Sequence, residues 1–104
     1  MASYDFTGTW KSSYFLSEIV AYITQEGDNI SGHAIVKDVL FGKKNVYHFN
    51  GTASGLIISA HHHSGRTFEG KAVGKHLALG ILTTRRGFQA KLKAKRVSLT
   101  PKAG

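Results

Sequence analysis

The chain has 104 residues, a hydrophobic fraction of 41% and a charged fraction of 19%, which fit one packed domain and disfavour a disordered chain. Cysteine is absent, which excludes disulfides, thiolate metal sites and a cysteine nucleophile. The net charge of +8 is compatible with a polyanionic or acidic partner. We expect a single β-barrel domain over residues 1–104, with residues 100–104 as a flexible tail.

Charge is distributed unevenly along the chain. Residues 1–64 hold four basic and five acidic residues, a net charge of −1, whereas residues 65–104 hold ten basic residues and one acidic residue, a net charge of +9. The longest apolar run, residues 77–82, has six members, far fewer than the roughly 20 that a membrane-spanning helix needs. Residues 1–5 lack the basic flank and apolar segment of a secretory signal. We therefore expect no membrane span and a cytoplasmic location.

Short strands separated by glycine turns make up the chain. Turn signals recur every 9 to 15 residues, and the segments between them are rich in β-branched and aromatic residues. No segment has the apolar stripe of a long helix. The pattern predicts eight strands, at about residues 7–14, 18–25, 29–37, 45–53, 56–63, 66–73, 76–85 and 88–98. We predict an all-β fold, a single eight-stranded antiparallel up-and-down meander β-barrel, whose closure removes exposed edges.

The last three strands allow a prediction of register. Two-residue turns at 74–75 and 86–87 each assign the same face of the seventh strand to the core. The side chains on that face are Leu77, Leu79 and Ile81. Because both turns agree, we expect a three-stranded meander that buries these residues.

The outer face of the last strand is basic. Lysines alternate there with apolar residues, which is typical of a strand with one buried and one wet face. The exterior basic residues are Arg85, Arg86, Lys91, Lys93 and Lys95. A module that binds a polyanion or a protein partner through this surface is the alternative function. No aromatic side chain for base stacking accompanies the lysines, so the pattern disfavours nucleic acid as the partner.

The first strand opens with Thr7-Gly8-Thr9-Trp10. At the head of a short meander, this segment resembles the Gly-x-Trp start of the calycin group, which includes lipocalins, fatty-acid-binding proteins and avidins. Length and spacing are most similar to the avidin branch. The resemblance implies a barrel whose tryptophan closes one end and packs under a basic residue of the last strand, for which Arg96 is the candidate.

The biotin site of the avidin branch does not carry over to this sequence. Its asparagine two places after the tryptophan falls at Ser12, its serine six places after the tryptophan at Leu16, and its third-strand tyrosine near Ala34. The tryptophans that box the ligand have no counterpart, because Trp10 is the only tryptophan. Biotin binding is therefore not implied, and a different small ligand in the same barrel is left open.

Three consecutive histidines, His61, His62 and His63, stand out in the fifth strand. Because a strand alternates faces, His61 and His63 point one way and His62 the other, and the predicted turn places His48 across from His61. The exterior imidazoles of His48, His61 and His63 are candidate ligands for zinc, copper or nickel, although no carboxylate accompanies them. No cofactor motif is present, and we expect no cofactor.

His62 is expected to point into the barrel beside Tyr47. A two-residue turn at 64–65 would reverse this orientation, whereas a three-residue loop keeps the apolar faces continuous and is preferred. A buried imidazole and phenol can exchange protons, so a cyclase or isomerase using His62 and Tyr47 is a further alternative. A core histidine satisfied by Tyr47 or by water is the simpler interpretation, and we expect a binding protein rather than an enzyme.

The leading interpretation is a barrel that binds a small, mostly apolar molecule. Many inward positions carry small side chains, which leaves interior space unless aromatic residues fill it. The candidate ligand-binding residues are Ser12, Tyr14, Phe41, Tyr47, Phe49, His62, Phe68 and Phe88. The ligand is expected to enter near Phe41 and residues 14–16. The apolar segment 39–41 is compatible with a flap over the mouth, a cover for an open end, or a subunit contact in a homo-oligomer.

Overall fold

Each strand pairs with its neighbour in sequence, and the last strand pairs with the first. The computed structural model describes residues 4–101, in which eight antiparallel strands form one closed barrel. The strands are β1 Gly8–Tyr14, β2 Ser17–Glu26, β3 Asn29–Asp38, β4 Lys44–Ser54, β5 Ile57–His61, β6 Thr67–Gly74, β7 Leu77–Thr83 and β8 Gln89–Ser98. The predicted all-β meander barrel is therefore confirmed.

Two predictions about the chain ends fall partly beyond residues 4–101. The start of the chain, on which the expected cytoplasmic location rests, includes residues 1–3, which lie outside the described range. The expected tail includes residues 102–104, which also lie outside it. Within the range, the Thr9 hydroxyl donates to the Thr100 carbonyl at 2.8 Å. Between residues 4 and 101, no helix has the length and apolar character needed to cross a membrane.

The loop after the histidines has the preferred three-residue form. His61 pairs with Thr67, and the His62 N–H donates to the Arg66 carbonyl at 2.9 Å. Residues 63–65 therefore form the loop. This register keeps the apolar faces of β5 and β6 continuous, and it puts His62 on the inner side of the barrel.

The β4–β5 turn lies one residue later than predicted, but the same side chains of β4 and β5 still face the interior. The turn comprises residues 55–56 rather than 54–55. His61 consequently lies opposite Asn50 instead of His48. The pairing moves by two residues, and because side chains alternate with a period of two, the inward set is unchanged.

The predicted inner face of β7 is wrong. The β6–β7 turn comprises residues 75–76 beside a bulge in β6, and the β7–β8 loop spans residues 84–88. Each difference moves the pairing by one residue, which turns the strand over. Leu77, Leu79 and Ile81 therefore lie on the outer face opposite the lysines of β8, with Leu79 48% and Ile81 38% exposed.

The interior explains why β7 turns that face outward. The Phe68 ring lies against Gly70 and Gly80, and any side chain at Gly80 would collide with it. A leucine or isoleucine at this position would need the space that the ring occupies. β7 therefore presents Ala78, Gly80 and Leu82 to the interior.

Buried apolar side chains are concentrated at one end of the barrel, which we call the closed end. Its cluster consists of Phe6, Trp10, Ile23, Ile30, Ala53, Ile58, Ala60, Ala72 and Ala78. The loops at the opposite end, which we call the open end, are residues 15–16, 39–43, 62–66 and 84–88. Inward side chains near the open end, such as Val36, Tyr47 and Leu82, are only half-buried. The barrel is thus solid at one end and hollow towards the other.

Candidate functional site

A tryptophan and an arginine seal the closed end. Trp10 is 4% exposed, and its indole N–H donates to the Phe6 carbonyl at 2.8 Å. The Arg96 guanidinium carbon lies 5.0 Å from the centre of the indole ring, within cation–π range. The predicted packing of Trp10 against Arg96 is therefore confirmed.

Arg96 uses all five of its N–H donors in this seal. Nη1 donates to two carbonyls of the N-terminal segment, Nη2 to a turn carbonyl and a phenol, and Nε to an imidazole. The acceptors are Asp5 O at 2.5 Å, Thr7 O at 3.1 Å, Lys75 O at 2.6 Å, Tyr4 Oη at 2.9 Å and His76 Nδ1 at 3.2 Å. One side chain therefore ties the segment before β1 to β8 and to the β6–β7 turn.

A cavity of about 300 Å³ occupies the hollow part of the barrel. This volume is at the lower end of the range for small-molecule pockets. Its apolar lining includes Trp10, Ile19, Ala21, Ile23, Ala34, Val36, Phe49, Ile58, Phe68, Leu82, Ala90, Leu92 and Ala94. Polar side chains are few and lie towards the open end, so the interior favours an apolar occupant.

Small residues of β8 border this space. Ala90 and Ala94 line the cavity, on the face of β8 that alternates with the exposed lysines. Ala72 belongs to the buried cluster of the closed end. Phe49 and Phe68 line the walls but leave the centre open. The aromatic side chains therefore do not fill the interior of the barrel.

One edge of the cavity mouth is polar. The His62 ring lies edge-on to the Tyr47 ring, with centroids 5.3 Å apart. The Arg66 guanidinium carbon lies 5.1 Å from the centre of the Tyr47 ring, and Arg66 Nη1 donates to Ser64 Oγ at 2.9 Å. These four side chains, His62, Tyr47, Ser64 and Arg66, are called the polar edge below.

Hydrogen bonds define the tautomer of His62. The Ser64 backbone N–H donates to His62 Nδ1 at 3.1 Å, and Ser64 Oγ lies 2.7 Å from the same nitrogen. Nδ1 is therefore an acceptor, which leaves Nε2 to carry the proton of the neutral ring. Desolvation lowers the pKa of His62 below 6.5, and the charges of His63, Arg66 and His48 lower it further. The neutral ring is thus the favoured form near pH 7.

Six of the eight predicted ligand-binding residues line the cavity: Ser12, Tyr14, Tyr47, Phe49, His62 and Phe68. Ser12 also donates its hydroxyl proton to the Lys93 carbonyl at 2.9 Å, so it can only accept a hydrogen bond from a ligand. Phe41 and Phe88 lie on loops at the open end and do not line the cavity. Phe88 is 72% exposed because the β7–β8 loop is longer than the predicted turn.

The candidate metal ligands do not come together. His48 lies beside His33, with ring centroids 5.6 Å apart, and His63 stacks on His62 at 4.1 Å. His61 faces Asn50 across the ladder. Within residues 4–101, no group of three histidine or acidic side chains is placed to hold a metal ion. The displaced β4–β5 turn is the cause, because it separates His48 from His61.

The basic residues lie on the outside, as predicted. Lys91, Lys93 and Lys95 are exposed along β8, and Arg85 and Arg86 are exposed in the β7–β8 loop. The inverted face of β7 places exposed Leu79 and Ile81 directly beside two of these lysines. The lysines therefore share their surface with apolar side chains, which the predicted register did not include.

Sequence reasoning missed Arg66. The sequence contained the information needed to find it, because the preferred three-residue loop places Arg66 opposite His62 at the barrel mouth.

No family model, curated protein or solved structure matches this chain. The chemistry of the site therefore follows from its geometry, which combines an apolar interior with hydrogen-bond donors on His62, Tyr47 and Arg66.

Proposed function

We propose that the protein binds a small, mostly apolar molecule inside the barrel. The apolar part would lie in the cavity above Trp10, and a hydrogen-bond acceptor of the ligand would meet the polar edge. The observation that carries this proposal is the cavity of about 300 Å³ with an almost entirely apolar lining. Folded proteins normally fill their interiors, so apolar space of this size is typical of a binding site.

The character of the polar edge supports an acceptor on the ligand. Among residues 4–101, Arg66 donates to Ser64 and to no carboxylate, which leaves further N–H groups for a ligand. The neutral His62 ring offers Nε2–H, since its other nitrogen accepts from Ser64. A carbonyl or carboxylate oxygen is the group that these donors would recognise.

The calycin-type resemblance is consistent with this proposal. The Gly-x-Trp start, the seal of Trp10 under Arg96 and the eight-stranded meander support a lipocalin-like or avidin-like barrel. An eight-stranded barrel is wide enough to hold one small ligand where side chains do not fill it. Fold alone does not define the ligand, so the proposal rests on the cavity.

Thermal-shift screening with apolar compounds that carry one acceptor, such as anilinonaphthalene sulfonate, tests the proposal. A ligand at about 100 times its dissociation constant adds ~2.7 kcal/mol to the free energy of unfolding. Ala90→Leu fills the cavity and should abolish the shift. Gln89→Leu, on the outer face one residue away, is the matched control and should keep it. An equal shift in both variants would place binding outside the barrel.

Catalysis by His62 and Tyr47 is the second candidate, and the contact between the two rings supports it. The hydrogen bonds to His62 Nδ1 count against a general-base role, because the ring then presents only a donor nitrogen to a substrate.

Binding of heparin or DNA by the exterior basic residues is the third candidate. It requires affinity that persists at physiological salt, and we expect the affinity to fall steeply as salt is added.

A further inference from the structure

The open end carries large apolar side chains that are exposed and do not line the cavity. Phe15 is 95% exposed, Phe41 83% and Phe88 72%. They belong to the loops after β1, β3 and β7, which a closed antiparallel meander brings to the same end. The Val39 N–H donates to the Leu16 carbonyl at 2.9 Å, which ties two of these loops together. We call residues 15–16, 39–44 and 84–88 the apolar rim.

Phe15 is held in an unfavourable backbone conformation. Its φ is 57°, the left-handed region, and it is the one residue other than glycine with positive φ among residues 4–101. That conformation favours glycine or asparagine and disfavours a bulky side chain. Because the Phe15 ring is exposed, it makes few packing contacts within the barrel that could offset this strain. A strained, exposed aromatic residue at the mouth points to a contact made outside the protein.

Basic side chains accompany the aromatic ones on the same rim. Lys43 and Lys44 follow Phe41, and Arg85 and Arg86 precede Phe88, and all four are exposed. Asp38, the last residue of β3, accepts hydrogen bonds from the backbone N–H groups of residues 40 and 41 in the loop that follows it.

The remaining five acids lie outside the loops of the rim. Glu18 pairs across the ladder with Lys37, and Glu69 lies opposite Ser59 and Ile81, both on the outer wall. Asp5, Glu26 and Asp28 lie at the closed end. The mouth of the barrel is therefore positive and apolar, whereas the acids of the closed end lie at the same end as Lys75 and Arg96.

We propose that the apolar rim docks on the surface of a lipid bilayer that contains anionic lipids. The three phenylalanine rings would lie at the level of the headgroups, and the four basic side chains would contact the phosphates. Charge complementarity selects this partner over a second copy of the chain, because rim-to-rim contact would bring like charges together. A nucleic-acid duplex would use the charges and leave the three aromatic rings exposed, because its bases are already stacked on one another. The docking rests on rim residues that do not line the cavity, so it goes beyond the proposed ligand binding.

Co-sedimentation with vesicles tests this docking. We expect binding to phosphatidylcholine vesicles that contain phosphatidylglycerol, and much weaker binding to phosphatidylcholine alone. Phe15→Asn with Phe41→Ser should lower the partition coefficient about tenfold or more, by removing apolar burial. Arg85→Ser with Arg86→Ser should lower it by a similar factor, by removing two charges from the surface contact. Circular dichroism verifies that each variant folds, and asparagine suits the backbone at position 15.

Matched variants elsewhere on the barrel control for general stickiness. Leu56→Ser changes an exposed apolar turn residue at the closed end, and Lys93→Ser with Lys95→Ser removes two charges from the outer wall. These variants and Ala90→Leu should bind vesicles as the wild type does. Absence of binding to the anionic vesicles would overturn the proposal, as would equal losses in the rim and control variants. A dimer that the Phe15 and Phe41 substitutions dissociate, without vesicle binding, would assign the rim to a second copy instead.

Discussion

Arg96 shows how much of the fold can depend on one side chain. Its five N–H groups each have an acceptor, and the plane of the guanidinium also covers the indole of Trp10. A lysine has three donors on a tetrahedral ammonium and cannot reproduce this planar fork. The choice of arginine is therefore explained by geometry as well as charge.

Arg96→Lys should lower the free energy of unfolding by about 2–3 kcal/mol, because backbone carbonyls lose charge-assisted hydrogen bonds. Urea unfolding followed by the fluorescence of Trp10 measures the change, since this buried indole is the only tryptophan. Lys93→Arg on the outer face of the same strand should leave stability within ~0.5 kcal/mol of the wild type. Equal stability of the two variants would contradict the role of Arg96 as the seal.

His62 should make stability depend on pH. Its pKa is lowered below 6.5 in the folded protein, by desolvation and then by neighbouring positive charge, so the unfolded chain binds the proton more tightly. The contribution of this group to stability is complete above pH 6.5 and declines as the pH falls towards the lowered value. His62→Gln should flatten this part of the profile of unfolding free energy against pH, whereas His61→Gln, an exposed neighbour, should retain it. A slope unchanged by His62→Gln would show that other groups cause it.

At the scale of strands, β7 shows where sequence patterns become ambiguous. The apolar residues at 77, 79 and 81 and the small ones at 78 and 80 alternate equally well, so periodicity alone permits either face to be buried. The structure buries the small residues because Phe68 already fills the space in front of Gly80. That information lies on β6 and in the length of two turns, which local patterns do not define. The β5–β6 loop was predictable because only one length kept two apolar faces continuous.

Gly80→Ala should destabilise the protein by about 1–3 kcal/mol through overpacking against Phe68. Replacing glycine by alanine in a strand normally raises the free energy of unfolding by ~0.5–1 kcal/mol. A decrease for Gly80→Ala would therefore indicate a steric collision. Gly74→Ala, where a methyl group would lie 3.5 Å from the Leu77 Cβ, should be neutral or stabilising. Adding Phe68→Leu to Gly80→Ala should recover part of the loss, and purely additive effects in the double variant would rule out this contact as the cause.

For the whole molecule, the barrel combines a solid end with a hollow one. The sequence predicted the strand number, the closed meander and six of the eight candidate cavity residues, because inward positions follow from alternation once the turns are known. Phe41 and Phe88 lie on loops and do not line the cavity, because residues in a loop follow its backbone rather than the strand period. Arg66 was missed because it lies where a loop ends and a strand begins.

Hydrogen exchange should report this asymmetry. Amides near the closed end, such as those of Ile23 and Ile30, lie in the buried cluster and should exchange only by global unfolding. Amides of the same strands near the open end, such as those of Ile19 and Val36, face the cavity and should exchange by local opening. Ala90→Leu should slow the second group more than the first. Uniform protection along β2 and β3 would contradict a barrel that is solid at one end only.

Both ends of the described range, residues 4 and 101, lie at the closed end of the barrel. Tyr4 donates its backbone N–H to the Gly55 carbonyl, and Thr9 of β1 donates to the Thr100 carbonyl, so both ends leave the barrel opposite its mouth. A protein tethered to a solid support through either end would therefore present its cavity to the solution. Joining the ends and cutting the chain in a mouth loop would move the attachment point to the rim. Attachment through a chain end would therefore leave the mouth facing the solution, and attachment at the rim of the permuted chain would turn the mouth towards the support.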